Sequence, residues 1–292
     1  MSLIDREART RRKAKVVTDK QVVLVTGVSS GIGREIAALL ADRGFRVFGT
    51  VRQKGTAGLS GPIQLDVRDD ESVRSAVRAV VTQAGRIDAL VNNAGYSLVG
   101  SLEETTIEEA KQLFETNFFG VMRMSQAVLP YMREQGHGRI VNIGSIAGFL
   151  PTPYWGIYGA SKHAIEGYSE SLDHEVRQFG IRVSVVEPGF MRTNLGHNNQ
   201  LANRSLPAYT TERESVLNAM NEGLAKGESP STVASVVLQA LTSRSPKLRY
   251  PAGRQAKLLS VLKRFAPSGM MDSGVRKQFG LAGQKRGGKH AG

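Results

Sequence analysis

The chain has no cysteine in its 292 residues, only one tryptophan, and aromatic side chains make up only 6% of it. Without thiols there can be no disulfide and no thiolate metal ligand. The five histidines, His137, His163, His174, His197 and His290, share no metal-ligand spacing with carboxylates, so no metal is expected. No apolar segment follows the basic start and no apolar run is long enough to cross a bilayer. Neither a secretory signal nor a membrane span is therefore expected, and the simplest location is the cytoplasm.

Acidic charge is scarce only at the ends. The formal net charge is +13, yet residues 21–243 carry 20 basic against 22 acidic side chains. Residues 1–20 carry seven Lys/Arg against three Asp/Glu, and residues 244–292 carry twelve against one. The basicity therefore reads as tails at 1–20 and 281–292, and no aromatic pattern or motif beside them points to nucleic acid. Contact with an acidic membrane surface or partner remains open for these ends.

Between the tails, short β-rich apolar runs alternate with amphipathic segments, the pattern of a parallel, doubly wound α/β sheet in one domain. Strands are expected near Val22–Thr26, Arg46–Thr50, Ile63–Asp66, Ala89–Asn92, Arg139–Ile143, Arg182–Glu187 and Leu248–Tyr250. Helices fall between them, notably Glu108–Met132 and Tyr158–Gln178. There is no internal repeat.

Two short motifs carry chemistry. Tyr158-Gly159-Ala160-Ser161-Lys162 sets a phenol and an ammonium four residues apart, so a helix brings them to one face. A fixed positive charge favours the phenolate and moves a tyrosine toward the range of a general acid/base. The second motif, Thr26-Gly27-Val28-Ser29-Ser30-Gly31-Ile32-Gly33, follows the run Val22–Val25 and opens a helical pattern. A strand, a glycine turn and a helix N-terminus together form a cradle for a pyrophosphate.

With Asn92-Asn93-Ala94-Gly95, Asn117, Ser145 and Pro188-Gly189 added in that order, residues 21–251 resemble the short-chain dehydrogenase/reductase family. The resemblance implies a Rossmann-type sheet of about seven strands in the order 3-2-1-4-5-6-7, with a dinucleotide across the carboxyl ends of the strands. It implies a domain at 21–251 with a substrate lid near 195–226, and a helical extension at 252–280. It also implies a homodimer or homotetramer packed through the two long helices after the fourth and fifth strands, whose Phe114, Phe118, Met122, Ile165, Tyr168 and Leu172 could serve either that interface or the core.

The site residues follow from the same resemblance. Gly27, Ser29, Ser30, Gly31, Ile32 and Gly33 would hold the phosphates, and Asn93, Ala94 and Gly95 would line the adenosine and ribose. Asp66 and Val67 match the adenine position, although an aspartate there could equally cap a helix. Pro188, Gly189 and Thr193 would meet the nicotinamide end. Where NAD-preferring members carry an acidic residue this chain has Val51, followed by Arg52, whose guanidinium suits a 2′-phosphate. NADP(H) is therefore expected over NAD(H).

Catalysis would fall to four residues. Ser145 would hold the substrate carbonyl, Tyr158 would move the proton, Lys162 would bind ribose and tune Tyr158, and Asn117 would hold a water linking Lys162 to solvent. His163 points about 100° away from the lysine on the helix and reads as structural or solvent-facing. Asn92 and Ser161 also read as structural.

The apolar loop Phe149–Trp155 suits a hydrophobic ligand, and residues 254–279 read as one or two amphipathic helices. With Arg52, these features look most like the hydroxysteroid and retinol dehydrogenase branch. The expected activity is hydride transfer between NADP(H) and an apolar ketone, aldehyde or alcohol. A 3-oxoacyl-(carrier protein) reductase would use the same four residues, and a non-catalytic NADP-binding sensor would have no need of them.

Overall fold

The computed structural model describes residues 20–53, 61–192 and 200–281. Its organising element is strand β1, Val22–Val25, every residue of which is buried. Side chains alternate across a strand, so Val22 and Leu24 enter one core while Val23 and Val25 enter the other. A strand apolar on both faces belongs at the centre of a covered parallel sheet.

β1 pairs in parallel with β2 (Arg46–Val51) on one side and β4 (Ala89–Asn92) on the other. With β3 (Ile63–Gln64), β6 (Gly138–Ile143), β7 (Ile181–Pro188) and β9 (Arg249–Ala252), the order is β3-β2-β1-β4-β6-β7-β9. With the two short strands outside this sheet, β5 (Leu98–Val99) and β8 (Gln200–Leu201), left out of the count, this is the expected order, and it reverses between β1 and β4. Pro251 sits on the edge strand β9, where a missing N–H is tolerated.

Helices cover both faces. On one, α1 (Gly31–Asp42) buries Gly33, Ile36, Ala37 and Leu40, a helical stripe, beside α7 (Pro230–Thr242). On the other lie α2 (Asp70–Ala84), α4 (Gly120–Gln135) and α5 (Gly156–Val176), whose Val73, Val77, Met124, Val128 and Leu172 share a core with Leu24.

The helix expected over Glu108–Met132 is interrupted. α3 (Ile107–Phe114) opens with a capping box between Thr106 and Glu109, then gives way to a π-helical turn, Glu115–Phe119, before α4. A two-stranded ribbon of β5 (Leu98–Val99) and β8 (Gln200–Leu201) also lies outside the expected set. Strands of two residues leave no periodicity to detect.

α6 (Thr210–Ala225) packs its Val216 and Met220 with Val99 and Trp155. Fully buried Glu104 ties it down, accepting from the backbone N–H groups of Ser101 (3.1 Å) and Leu206 (2.8 Å) and pairing with Arg213 of α6. After β9 come α8 (Arg254–Phe265) and α9 (Ser268–Gln278), which part at Ala266-Pro267. Among the described residues no helix is long and apolar enough to cross a membrane.

Candidate active site and nucleotide cleft

A cleft of about 720 Å³ runs along the carboxyl ends of the central strands, from the turn after β1 to the start of α5. The glycine turn fits a pyrophosphate on its own geometry. Gly27 adopts φ +72°, and a Cβ at Gly33 would stand 2.2 Å from the Gly27 carbonyl oxygen, so neither position accepts a side chain without strain. Ser30 precedes α1 without capping it by a side-chain hydrogen bond, so the first-turn N–H groups of α1 remain for an anion.

Thr26 and Asn93 bind this turn to the end of β4. The Thr26 hydroxyl accepts from the backbone N–H of Asn93 (2.9 Å) and of Ala94 (3.0 Å). The Asn93 amide donates to the carbonyls of Thr26 and Gly27, both at 2.9 Å. Asn92 lies beneath, donating to Asn142 at 2.9 Å, in keeping with a structural role.

Nearly all the expected cofactor residues line the cleft: Gly27, Ser29, Ser30, Gly31, Ile32, Gly33, Arg52, Asp66, Val67, Asn93, Ala94, Gly95, Pro188 and Gly189. Thr193 and residues 195–199 of the expected lid lie outside the described residues. Asp66 does not cap α2. Asp69 does so, accepting from the Ser72 N–H, while the Asp66 carboxylate is engaged by the Arg68 guanidinium, which holds it below its ordinary range. Arg68 was missed because it lies in the turn between β3 and α2, where neither a helical nor a strand period applies.

At the other end, Ser145, Tyr158 and Lys162 all line the cleft. Ser145 follows β6, and its Oγ accepts from the Ala147 N–H (3.1 Å), leaving its proton to donate. α5 places Lys162 one turn after Tyr158, with Nζ 5.7 Å from the centre of the phenol ring and donating to the Ile143 carbonyl (2.8 Å). Ser161 donates to the Tyr158 carbonyl at 2.7 Å, and His163 meets the Gly159 carbonyl at 2.9 Å.

The acidity of Tyr158 runs against the sequence-based expectation. Burial pushes its phenol above the ordinary value, with a hydrogen bond to Ser145 working in the other direction. Burial also lowers Lys162 to about 8, opposed by the carboxylate of Glu166. Desolvation of the charged forms outweighs both the Ser145 hydrogen bond at the phenol and the Glu166 carboxylate at the ammonium.

Asn117 stands behind the cleft wall, 1% exposed, at the π-helical turn. Its Oδ1 accepts from the Tyr96 N–H at 3.0 Å, and its amide donates to the Tyr96 carbonyl at 2.8 Å and to Ser161 at 3.4 Å. It joins the wall after β4 to the helix that carries Tyr158 and Lys162.

Beyond Tyr158 the cleft turns aromatic. The Trp155 ring lies 5.6 Å from Tyr158 and 6.0 Å from Phe190, between ring centres, and packs with Val216, Met220, Phe279 and Leu281. The side chains of Phe190 and Leu224 were not foreseen in the cleft, since only the fold brings them there. Among the described residues no cluster of His, Asp or Glu could hold a metal.

Residues 21–204 match the family model for short chain dehydrogenase. The chain belongs to the short-chain dehydrogenase family. It is 37% identical over 265 residues to 3-ketodihydrosphingosine reductase of Bacteroides thetaiotaomicron, covering 88% of this chain and 97% of the relative. It is 36% identical over 274 residues to bovine (Bos taurus) retinol dehydrogenase 8, covering 86% and 87%. A short-chain dehydrogenase structure from Streptomyces avermitilis superposes with a TM-score of 0.75 at 35% identity, covering 90% and 96%.

Two further family members were solved with nicotinamide nucleotides. One from Burkholderia phymatum is in complex with NAD (TM-score 0.73, 26% identical, covering 83% and 92%). One from Burkholderia cenocepacia is in complex with NADP (TM-score 0.70, 25% identical, covering 87% and 96%). As a short-chain dehydrogenase the protein is an oxidoreductase, and its cleft is that of a nicotinamide-dependent enzyme.

Proposed function

We propose that the protein is an NADP(H)-dependent oxidoreductase acting on the carbonyl or alcohol of a small, apolar substrate, with Tyr158 as general acid/base. The observation that carries this reading is the shared cleft: Ser145, Tyr158 and Lys162 line the end opposite Arg52 and the glycine turn. The turn and the start of α1 would hold the pyrophosphate, Arg52 the 2′-phosphate, and Lys162 the nicotinamide ribose, using donors left after its bond to Ile143. When bound, reduced nicotinamide supplies the hydride.

The protein's own part is positioning and proton movement. Ser145 donates to the substrate oxygen and steadies the negative charge that develops there. Tyr158, kept protonated by burial, gives its proton to the same oxygen. Lys162, whose acidity lies near neutrality, restores that proton in company with the path through Asn117. In the oxidative direction the same groups run in reverse.

The aromatic wall of Trp155 and Phe190, backed by Val216 and Met220, favours an apolar substrate. Two relatives bear the names of lipid substrates, 3-ketodihydrosphingosine and retinol, which supports a long-chain or polyene ketone or alcohol here. Residues 195–226 would act as the lid. A cytoplasmic homo-oligomer completes the reading, with Phe118 and Tyr168 packed edge to face at its contact helices.

The test is NADPH and NADH consumption with a panel of long-chain ketones, sterols, retinoids, quinones and acyl thioesters. Tyr158→Phe should lower turnover at least about a hundredfold while nucleotide binding stays intact. Equal turnover by the variant would remove Tyr158 from the mechanism, and preference for a carrier-bound thioester would replace the apolar substrate.

A further inference from the structure

Helix α8 turns an apolar stripe outward. Leu258, Val261 and Phe265, spaced three and four residues apart, lie on one face and are 60%, 56% and 74% exposed. Every charged residue of the helix is basic: Arg254, Lys257, Lys263 and Arg264. Arg254 lies along the stripe, and Lys257 and Arg264 lie along one edge of it.

We propose that α8 is an interfacial helix that rests on an anionic bilayer surface. Leu258, Val261 and Phe265 would enter the headgroup boundary, and Arg254, Lys257 and Arg264 would meet lipid phosphates. Charge decides between a bilayer and a second copy of the chain. Two α8 helices packed stripe to stripe would set six cations together, Arg254, Lys257 and Arg264 from each, with no acidic residue on either helix.

The seat of the helix supports the orientation. Its inner side is fixed by fully buried Ala256 and by Gln255, whose Oε1 accepts from the Phe190 N–H at 3.3 Å. Phe190 lines the cleft beside Trp155, so the outward stripe and the apolar end of the cleft are joined through one helical turn. Met270 of α9, 55% exposed, adds a further apolar side chain beyond Pro267.

Co-sedimentation of the full chain with phosphatidylcholine vesicles, with and without phosphatidylglycerol, tests this. The full chain should bind the anionic vesicles at least about tenfold more strongly than the neutral ones. Leu258→Ser with Phe265→Ser, and separately Lys257→Glu with Arg264→Glu, should each weaken that binding about tenfold or more, with thermal stability unchanged. Absent binding, or binding that the Leu258/Phe265 variant retains, would overturn the proposal, because charge elsewhere on the chain would then account for it. A fall in oligomeric state caused by that variant without lipid would overturn it in favour of a contact between copies.

Discussion

Asn117 holds the backbone of Tyr96 from both sides, accepting its N–H at 3.0 Å and donating to its carbonyl at 2.8 Å. Replacing it with alanine leaves a peptide group unpaired against a buried site. Asn117→Ala should cost about 2 kcal/mol of stability, read from denaturant unfolding, and lower turnover by about tenfold or more as the wall shifts. Unchanged stability would mean that water replaces the amide without loss.

Arg52 should decide between the two nucleotides. A charge-assisted bond to phosphate contributes about 1.5–3 kcal/mol, equal to about a tenfold to hundredfold change in affinity. Arg52→Asp should therefore weaken NADPH by at least that factor while NADH binding changes little. Equal losses in a fluorescence titration would make Arg52 a solvated strand-end charge.

Beneath Lys162 lies a pair of buried carboxyls. Glu166 is raised to about 7 and Glu187 to about 8, both mainly by burial, although Arg249 approaches Glu166 at 3.0 Å and Glu187 at 3.8 Å. The fold binds these two protons more tightly than the unfolded chain does. Their stabilisation is complete below the ordinary value of 4.5 and is lost as pH rises through about 7 and about 8. Lys162, lowered from 10.5 to about 8, changes stability only at higher pH. Between about pH 5 and 8, Glu187→Gln should thus gain melting temperature relative to the parent protein as pH increases. A constant difference across that range would place the titration elsewhere.

Arg213 anchors α6 to fully buried Glu104, whose carboxyl is pushed up by burial but held below its ordinary value by its hydrogen bonds to Leu206, Ser101 and Arg213 taken together. Arg213→Met leaves that carboxylate with Leu206 and Ser101 and no cation, and should cost about 3 kcal/mol. Hydrogen exchange should rise across α6 and leave the sheet protected. Uniform exchange throughout the protein would mean that the lid does not open separately.

The layered sheet was legible because its signals are local and periodic. Val22–Val25 alternates between two cores, Ile36, Ala37 and Leu40 repeat at helical spacing, and the glycine motif announces its own turn. What stayed hidden depends on contacts between distant segments. Nothing near Arg68 in the chain says that it, and not a ligand, engages Asp66, and Phe190 meets Trp155 only because β7 ends beside α5. The loss of acidity that burial imposes on Tyr158 was misjudged for the same reason, since spacing reveals a neighbouring charge but not the extent of desolvation. The π-helical turn at Asn117 lacks a glycine or proline to mark it.

Phe279 and Leu281, the last buried side chains of the described chain, pack in the cluster that contains Trp155, Val216 and Met220. Residues 279–281 thus back the aromatic wall that Trp155 presents to the cleft. Trimming the chain before Phe279, or hanging a purification handle directly on Leu281, would loosen the backing of Trp155 while leaving Ser145 and Lys162 on their own supports.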